Sequence, residues 1–244
     1  MLSRRNILLS TAIFAVGIVA LFPARVAYPW FAPAAVRLTA IEGTIWSGRA
    51  SEGQIANLYL RNLRWTFRVQ DLLSGRLVYR IVVDPAGGFL EADAGISMAG
   101  RLVIRNVEGG ISIGALQQVI ATPGIDGTLR LRLSELEFDS GAPITLAGTI
   151  DVSGLTARGL SPAPIGDFRA QLATTPEGIV GSIEDVAAML DIAGSIRVNP
   201  DRTYVLAGLV APTQATPATV VEQLRFLGSP NDRGQREFRF EGRF

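Results

Sequence analysis

Leu129-Arg130-Leu131-Arg132-Leu133 alternates without exception, so an extended chain puts leucine on one face and arginine on the other. That period of two returns through the sequence. Leu77–Val83 is a longer and more apolar run, and Ile144–Val152 alternates around Gly148. Arg61–Arg68 sets Leu63, Trp65 and Phe67 on one side, and Phe238-Arg239-Phe240 repeats the pattern near the C-terminus. Ile179–Ile183, Ala193–Val198 and Tyr204–Val210 supply further strands. Turn signals separate them: Asp84-Pro85, Gly87-Gly88, Gly109-Gly110, Asn199-Pro200-Asp201 and Asn231-Asp232. The chain therefore reads as mainly β, a curved and mostly antiparallel sheet.

Short helical patches interrupt this rhythm. Val69–Leu73 has room for one turn before Gly75. Ile113–Ile120 carries Ile113, Leu116, Val119 and Ile120 at helical spacing. Thr219–Leu227 does the same, with Pro217 near its start and Gly228 placed as a C-cap. A glycine and an alternating strand follow each patch, a weak repeat of helix, turn and strand that extends one sheet rather than building a doubly wound domain. Ser161-Pro162-Ala163-Pro164 is either a domain boundary or a loop within one sheet. With so few helices, the apolar face must meet a second sheet, fold over on itself or stay partly open as a groove.

The N-terminus follows a different rule. Asn6–Ala24 holds no charge over 19 residues and contains ten Leu, Ile, Phe or Val side chains. As a helix it covers about 28 Å, close to the hydrocarbon thickness of a bilayer. Those ten residues favour insertion by roughly 3 to 6 kcal/mol. A cleaved signal peptide is the competing reading, but Arg25 spoils the small-residue cleavage site, while Tyr28, Pro29, Trp30 and Phe31 resemble an interfacial belt. The expected organisation is a cytoplasmic segment 1–5, a transmembrane helix over 6–24 and a periplasmic β domain over 25–244. Arg4 and Arg5 ahead of the apolar segment set the N-terminus inside.

The residue inventory narrows the chemistry. The chain has no histidine, no cysteine and no lysine, and its 23 basic residues are all arginine. Catalytic triads, thiolate metal sites, Schiff bases and the phosphate-binding lysine are excluded with them. Gly110-Ile111-Ser112-Ile113-Gly114 matches a nucleophile elbow but lacks a base, so Ser112 reads as a helix cap and Gly109-Gly110 as a turn. Glu135 and Glu137 share a strand face, and Glu184-Asp185 reads as a turn into Val186–Leu190; neither pair has the marks of a glycosidase cleft. No calcium-loop spacing occurs, so no metal or cofactor is expected. Arg61, Arg64, Arg68, Arg76 and Arg80 read as the polar faces of strands. Setting Arg4 and Arg5 aside leaves 21 arginines against 22 acidic residues, a near-neutral body that offers nucleic acid no steering field.

One stretch is more specific than any of these patterns. Ile41-Glu42-Gly43-Thr44-Ile45-Trp46-Ser47-Gly48-Arg49-Ala50 stands close after the apolar segment, and Leu63-Arg64-Trp65 and Leu72-Leu73-Ser74-Gly75-Arg76-Leu77 follow. With Tyr204, Gly208, Pro212 and the closing Leu227-Gly228-Ser229-Pro230-Asn231-Asp232, the chain resembles the type II secretion system protein N family along its whole length. The resemblance implies a non-enzymatic inner-membrane subunit of the apparatus that exports folded proteins from the periplasm. It also implies other inner-membrane components of that apparatus as partners and a distant kinship to AsmA-like envelope proteins with β-sheet grooves. Binding of lipid or another apolar ligand in such a groove is the alternative. Motif residues Glu42, Gly43, Thr44, Trp46, Ser47, Gly48, Arg49, Trp65, Gly75 and Arg76 are the candidate interaction residues. Trp46 and Trp65 would serve as amphipathic anchors, with Gly43 and Gly48 shaping a hairpin around Trp46.

Overall fold

The computed structural model describes residues 4–32, 36–55, 58–85, 87–116 and 124–243. Two helices open the chain, α1 (Arg4–Ala20) and α2 (Ala24–Phe31). Three strands follow: β1 (Val36–Gly43), β2 (Ser47–Ile55) and β3 (Leu58–Phe67). The single turn α3 (Val69–Leu72) precedes β4 (Arg76–Pro85), β5 (Phe89–Ser97) and β6 (Leu102–Ser112). After α4 (Ile113–Leu116) come β7 (Ile125–Asp139), β8 (Ala142–Ala157), β9 (Gly166–Thr175), β10 (Gly178–Ala188), β11 (Leu190–Val198) and β12 (Thr203–Pro212). The helix α5 (Ala218–Leu224) runs into a 3-10 turn over Arg225–Leu227, and β13 (Arg236–Arg243) closes the order.

Every strand pairs antiparallel with its neighbour in sequence, and the thirteen form one sheet in the order β1 to β13. Short connections produce this meander, because antiparallel neighbours need no crossover. The sheet is open, with β1 and β13 at its two edges. Bulges bend it. One falls on β3 between Arg61 and Arg64, and another on β6 opposite the Glu91–Asp93 step of β5. A third falls on β7 between Leu133 and Glu135. Each extra residue increases the local twist, which curls so long a sheet.

The register keeps the apolar face continuous. Leu129, Leu131 and Leu133 of β7 stand opposite Ile111, Gly109 and Val107 of β6, and opposite Val152, Ile150 and Gly148 of β8. Ala92, Val107 and Leu133 form a buried cluster on this face, with Leu90, Ile104, Leu131, Leu136, Leu146 and Ile150 packed against it. A second cluster forms where α5 lies across the sheet and drives Val220 and Leu224 against Ile165, Met189, Leu190 and Val210. Among the described residues no second sheet covers the apolar face. Leu77, Ile96 and Leu102 stand side by side on it across β4, β5 and β6 and are exposed. Of the three arrangements open to the sequence, the structure shows a single curved layer with one end covered by α5.

Several local expectations change. Gly109 and Gly110 lie inside β6 rather than in a turn, paired with Leu90 and Phe89. A side chain at Gly109 would meet the Phe89 carbonyl at 2.5 Å, so glycine here permits close strand approach. Glu184-Asp185 also lies within a strand, β10, which continues past a register shift to Ala188. Ser161–Pro164 is a loop between β8 and β9 of the same sheet. The turn Val69–Leu72 matches the expected patch, as does the α5 segment, which ends with Gly228 at φ 101°. The patch 113–120 is helical over Ile113–Leu116; its remainder, 117–120, lies outside the described residues.

At the N-terminus, α1 stops at Ala20, short of the expected end at residue 24. Pro23 forms a bridge with Thr44, and α2 begins at Ala24. No helix among the described residues is long and apolar enough to cross a membrane; α1 has 17 residues.

Candidate functional site

The motif Glu42–Arg49 builds the β1–β2 hairpin and its turn. Gly43 and Gly48 face each other across the strand pair, and Gly43 takes φ 91°, a conformation that glycine reaches without strain. Thr44 locks the turn. Its N–H donates to the Ser47 carbonyl at 2.8 Å, and its Oγ1 accepts from the N–H groups of Trp46 and Ser47, each at 3.2 Å. Trp65 of β3 lies opposite Gly48, where a side chain would collide with the indole ring. The Trp65 Nε1–H donates to the Thr44 carbonyl at 3.1 Å, so both indoles are fixed by main-chain acceptors.

The turn presents Trp46 to the N-terminal helix. Its Nε1–H donates to the carbonyl of Val19 in the last turn of α1 at 2.8 Å. The Ile45 N–H donates to the Phe22 carbonyl at 3.0 Å, which fastens the chain beyond the helix to the same turn. The Trp46 ring meets Phe67 edge-on at 5.0 Å between centroids, and Phe67 meets Tyr79 at 5.1 Å. An apolar recess of about 590 Å³ opens between these elements, lined by Val16 and Val19 of α1, Trp46, Phe67, and Val69 and Leu72 of α3.

The structure thus brings Gly43, Thr44, Trp46, Ser47, Gly48 and Trp65 into one unit. Glu42 and Arg49 border it as an exposed ion pair at 2.6 Å. Gly75 and Arg76 stand apart from it. Gly75 takes φ 67° in the turn before β4 and accepts from the Met98 N–H at 3.2 Å, and Arg76 starts β4 opposite Ser97. Their motif reaches the recess only through Leu72 of α3.

Two features escaped the sequence reading. Tyr28 of α2 folds back on the outer edge of β1, where its hydroxyl donates to the Val36 carbonyl at 2.8 Å and accepts from the Leu38 N–H at 2.9 Å. The other is a charge network under α3. Asp93 is 1% exposed and accepts from Arg68 (2.9 Å), Arg80 (2.9 Å) and Asn106 (2.8 Å). Asp71 accepts from Arg68 and Arg105. Burial opposes ionisation of Asp93, but the hydrogen bonds from Arg80 and Asn106 and the charges of Arg80 and Arg68 outweigh it and hold its carboxyl below the usual range. Asp71 is lowered in the same way, its burial overcome by Arg105 and Arg68. Asn106, at φ 52°, is the extra residue of the β6 bulge that aims this amide.

The remaining candidates resolve into structural roles. Ser112 Oγ accepts from the Gly114 N–H at 3.1 Å as a cap and lies 3.4 Å from Asp126 Oδ1. Glu135 stands opposite Arg105 in register, and Glu137 pairs with Arg101 at 3.6 Å. Among the described residues no group of three or more metal-donor side chains is assembled.

Fold and hairpin together define a class: β-meander proteins in which an aromatic turn docks the end of a helix onto the sheet. The family model for type II secretion system protein N matches residues 34–239. The chain belongs to that family. Type II secretion system protein N of Aeromonas hydrophila is 27% identical over 222 residues, covering 86% of each chain. The protein of that name from Klebsiella pneumoniae is 27% identical over 216 residues, covering 84% of this chain and 82% of its own. The one from Vibrio cholerae is 24% identical over 250 residues and covers 96% of each. No solved structure matches the chain significantly.

Proposed function

We propose that this chain is a non-enzymatic accessory subunit of the type II secretion apparatus, held in the inner membrane by α1 with its N-terminus in the cytoplasm. Residues 25–244 form a periplasmic domain that supports export of folded proteins across the outer membrane by contacting other inner-membrane components. The observation that carries this reading, beyond family membership, is the state of α1. Ile13, Phe14, Val16, Ile18 and Val19 are all exposed, so the helix is apolar on several sides, and its C-terminal end meets the sheet through the Val19 carbonyl. A helix of that kind needs an apolar surrounding, which a bilayer provides. Trp46, at the same end, would sit at the membrane interface and fix the height of the sheet above it. Photo-crosslinking from positions 46 and 72 in intact cells tests this. Adducts with other secretion components are expected; their consistent absence, or recovery of the chain from the soluble fraction, rejects the reading.

A second reading is favoured by one observation. The row Leu77, Ile96 and Leu102 leaves part of a single-layer sheet uncovered on its apolar side. Exposed apolar rows of this kind mark binding surfaces, and an acyl chain fits a long shallow trough. Native mass spectrometry of the protein extracted from membranes should show a bound apolar ligand that is lost on Ile96→Glu. A ligand-free spectrum would reject it.

A further inference from the structure

The two edges of the sheet are finished differently. On β1 the Tyr28 hydroxyl occupies the outward carbonyl of Val36 and the outward N–H of Leu38, so a strand arriving there meets a side chain already in place. Among the described residues no side chain bridges two main-chain groups of β13 in this way, although the 3-10 turn Arg225–Leu227 approaches the strand and Arg236 donates to the Gly228 carbonyl. That strand is eight residues long and reads Arg236-Glu237-Phe238-Arg239-Phe240-Glu241-Gly242-Arg243. Its polar face alternates in sign as Glu237, Arg239, Glu241 and Arg243. On the inner side these four stand opposite Leu209, Ala207, Val205 and Thr203 of β12, none of which carries a charge. Arg239 instead pairs with Glu241 of its own strand, and both are more than half exposed. On the apolar face Phe240, at 58% exposed, has Leu206 beside it on one flank.

We propose that β13 pairs antiparallel with β13 of a second copy of this chain, in the register that sets Phe240 opposite Phe240. A two-fold axis relating two antiparallel edge strands stands normal to the sheet and keeps each face on its own side. Each residue then meets one an even number of positions away. Two such registers leave only one residue of β13 unpaired, and charge decides between them. Centred on Arg239, the register sets Arg239 against Arg239 and Glu237 against Glu241, all like charges. Centred on Phe240, it sets Arg239 against Glu241 and Glu237 against Arg243, and the symmetry repeats both pairs. Directly opposed opposite charges stabilise a sheet pair and like charges destabilise it. On the other face Phe240 meets its own copy and Phe238 faces Gly242, which has no side chain to obstruct it. The apolar faces of both copies stay on the same side, so the curved layer doubles in width.

The test uses the full chain, which contains no cysteine to confuse it. Phe240→Cys should cross-link to a covalent dimer with copper phenanthroline, because opposed Cβ atoms lie about 4.5 to 5.5 Å apart. Leu102→Cys, on β6, should not. Glu237→Arg with Glu241→Arg makes the polar face of the strand entirely basic, and Arg239→Glu with Arg243→Glu makes it entirely acidic. Each double variant alone should be monomeric by light scattering, and an equimolar mixture should recover the dimer mass, which also shows that neither variant has unfolded. Three outcomes overturn the proposal: a monomeric wild-type chain at tens of micromolar, a dimer indifferent to both charge variants, or a mixture that stays monomeric.

Discussion

The Trp46 indole lies 2.8 Å from the Val19 carbonyl, across 27 positions of sequence, and this bond joins the helix to the sheet at the tip of the β1–β2 hairpin. The Val19 carbonyl belongs to the last turn of α1, where main-chain acceptors have no partner further along the helix. An indole N–H satisfies one of them and cannot itself be deprotonated in ordinary conditions, so the junction is insensitive to pH. The ring also continues the aromatic series to Phe67 and Tyr79, which relates the helix to β3 and β4.

Trp46→Phe should separate these two contributions. It keeps a ring against Phe67 but removes the donor, and should cost about 1 kcal/mol in urea unfolding. Trp46→Ala removes the ring as well and should cost about 3 kcal/mol. Both variants should be cleaved faster by protease around Ala20 and Leu21, since the bond to Val19 is gone while Ile45 and Tyr28 still hold the segment that follows. Equal stability of wild type and Trp46→Ala would show that the ring does not fasten the helix.

Gly48→Ala should destabilise the domain by about 2 to 3 kcal/mol, because the added methyl meets the Trp65 indole and, at 2.5 Å, the Glu42 carbonyl. A strand backbone and a hydrogen-bonded indole have little room to retreat. Gly141→Ala is the control: that turn has open space around it but φ 83°, so only backbone strain of about 1 kcal/mol applies. Denaturant midpoints should rank wild type above Gly141→Ala and Gly141→Ala above Gly48→Ala.

How much of this was readable beforehand depends on whether the cause is local. Alternation such as Leu129–Leu133 fixes which side of a strand is apolar, and the single sheet with its strand-by-strand meander follows from many such runs joined by short turns. The hairpin around Trp46 was legible for the same reason, since Gly43 and Gly48 flank a four-residue turn. What the indole touches was not legible, because Val19 lies far away in sequence. Gly109-Gly110 looked like a turn because glycine marks both turns and close strand contacts, and only the neighbour at Phe89 separates the two. The buried position of Asp93 depends on Arg68, Arg80 and Asn106 arriving from three other segments. One faint signal existed: Arg61-Asn62 and Arg105-Asn106 both interrupt alternating runs. Each asparagine takes a left-handed bulge conformation and donates to an aspartate of a neighbouring strand, Asp84 of β4 or Asp93 of β5.

The Asp93 network predicts how stability varies with acid. The folded carboxyls of Asp93 and Asp71 lie below the ordinary aspartate value of about 3.9, so the unfolded chain binds those protons more readily. Their stabilisation is complete above the unfolded value and is lost as pH falls through the folded ones. Asp93→Asn should cost about 3 kcal/mol at neutral pH by setting an amide among arginine donors, and should flatten the loss of stability below pH 4. Urea unfolding at pH 7 and at pH 3 measures both. A variant whose stability falls with acid as steeply as wild type would remove Asp93 from this account.

Tyr28→Phe tests the guarded edge. The substitution keeps the ring and deletes one oxygen, which leaves the Val36 carbonyl and the Leu38 N–H facing solvent. Water can satisfy both groups, so the cost to stability should be small, about 1 kcal/mol. The larger effect should appear in hydrogen exchange. In the wild type the Leu38 amide is held by the hydroxyl although it points away from β2, and its exchange should be slowed; in Tyr28→Phe it should speed up at least tenfold while Ile41 is unchanged. An uncovered strand edge also recruits other strands, so the variant should form larger assemblies at high concentration. Unchanged exchange at Leu38 would show that the hydroxyl does not protect β1 in solution.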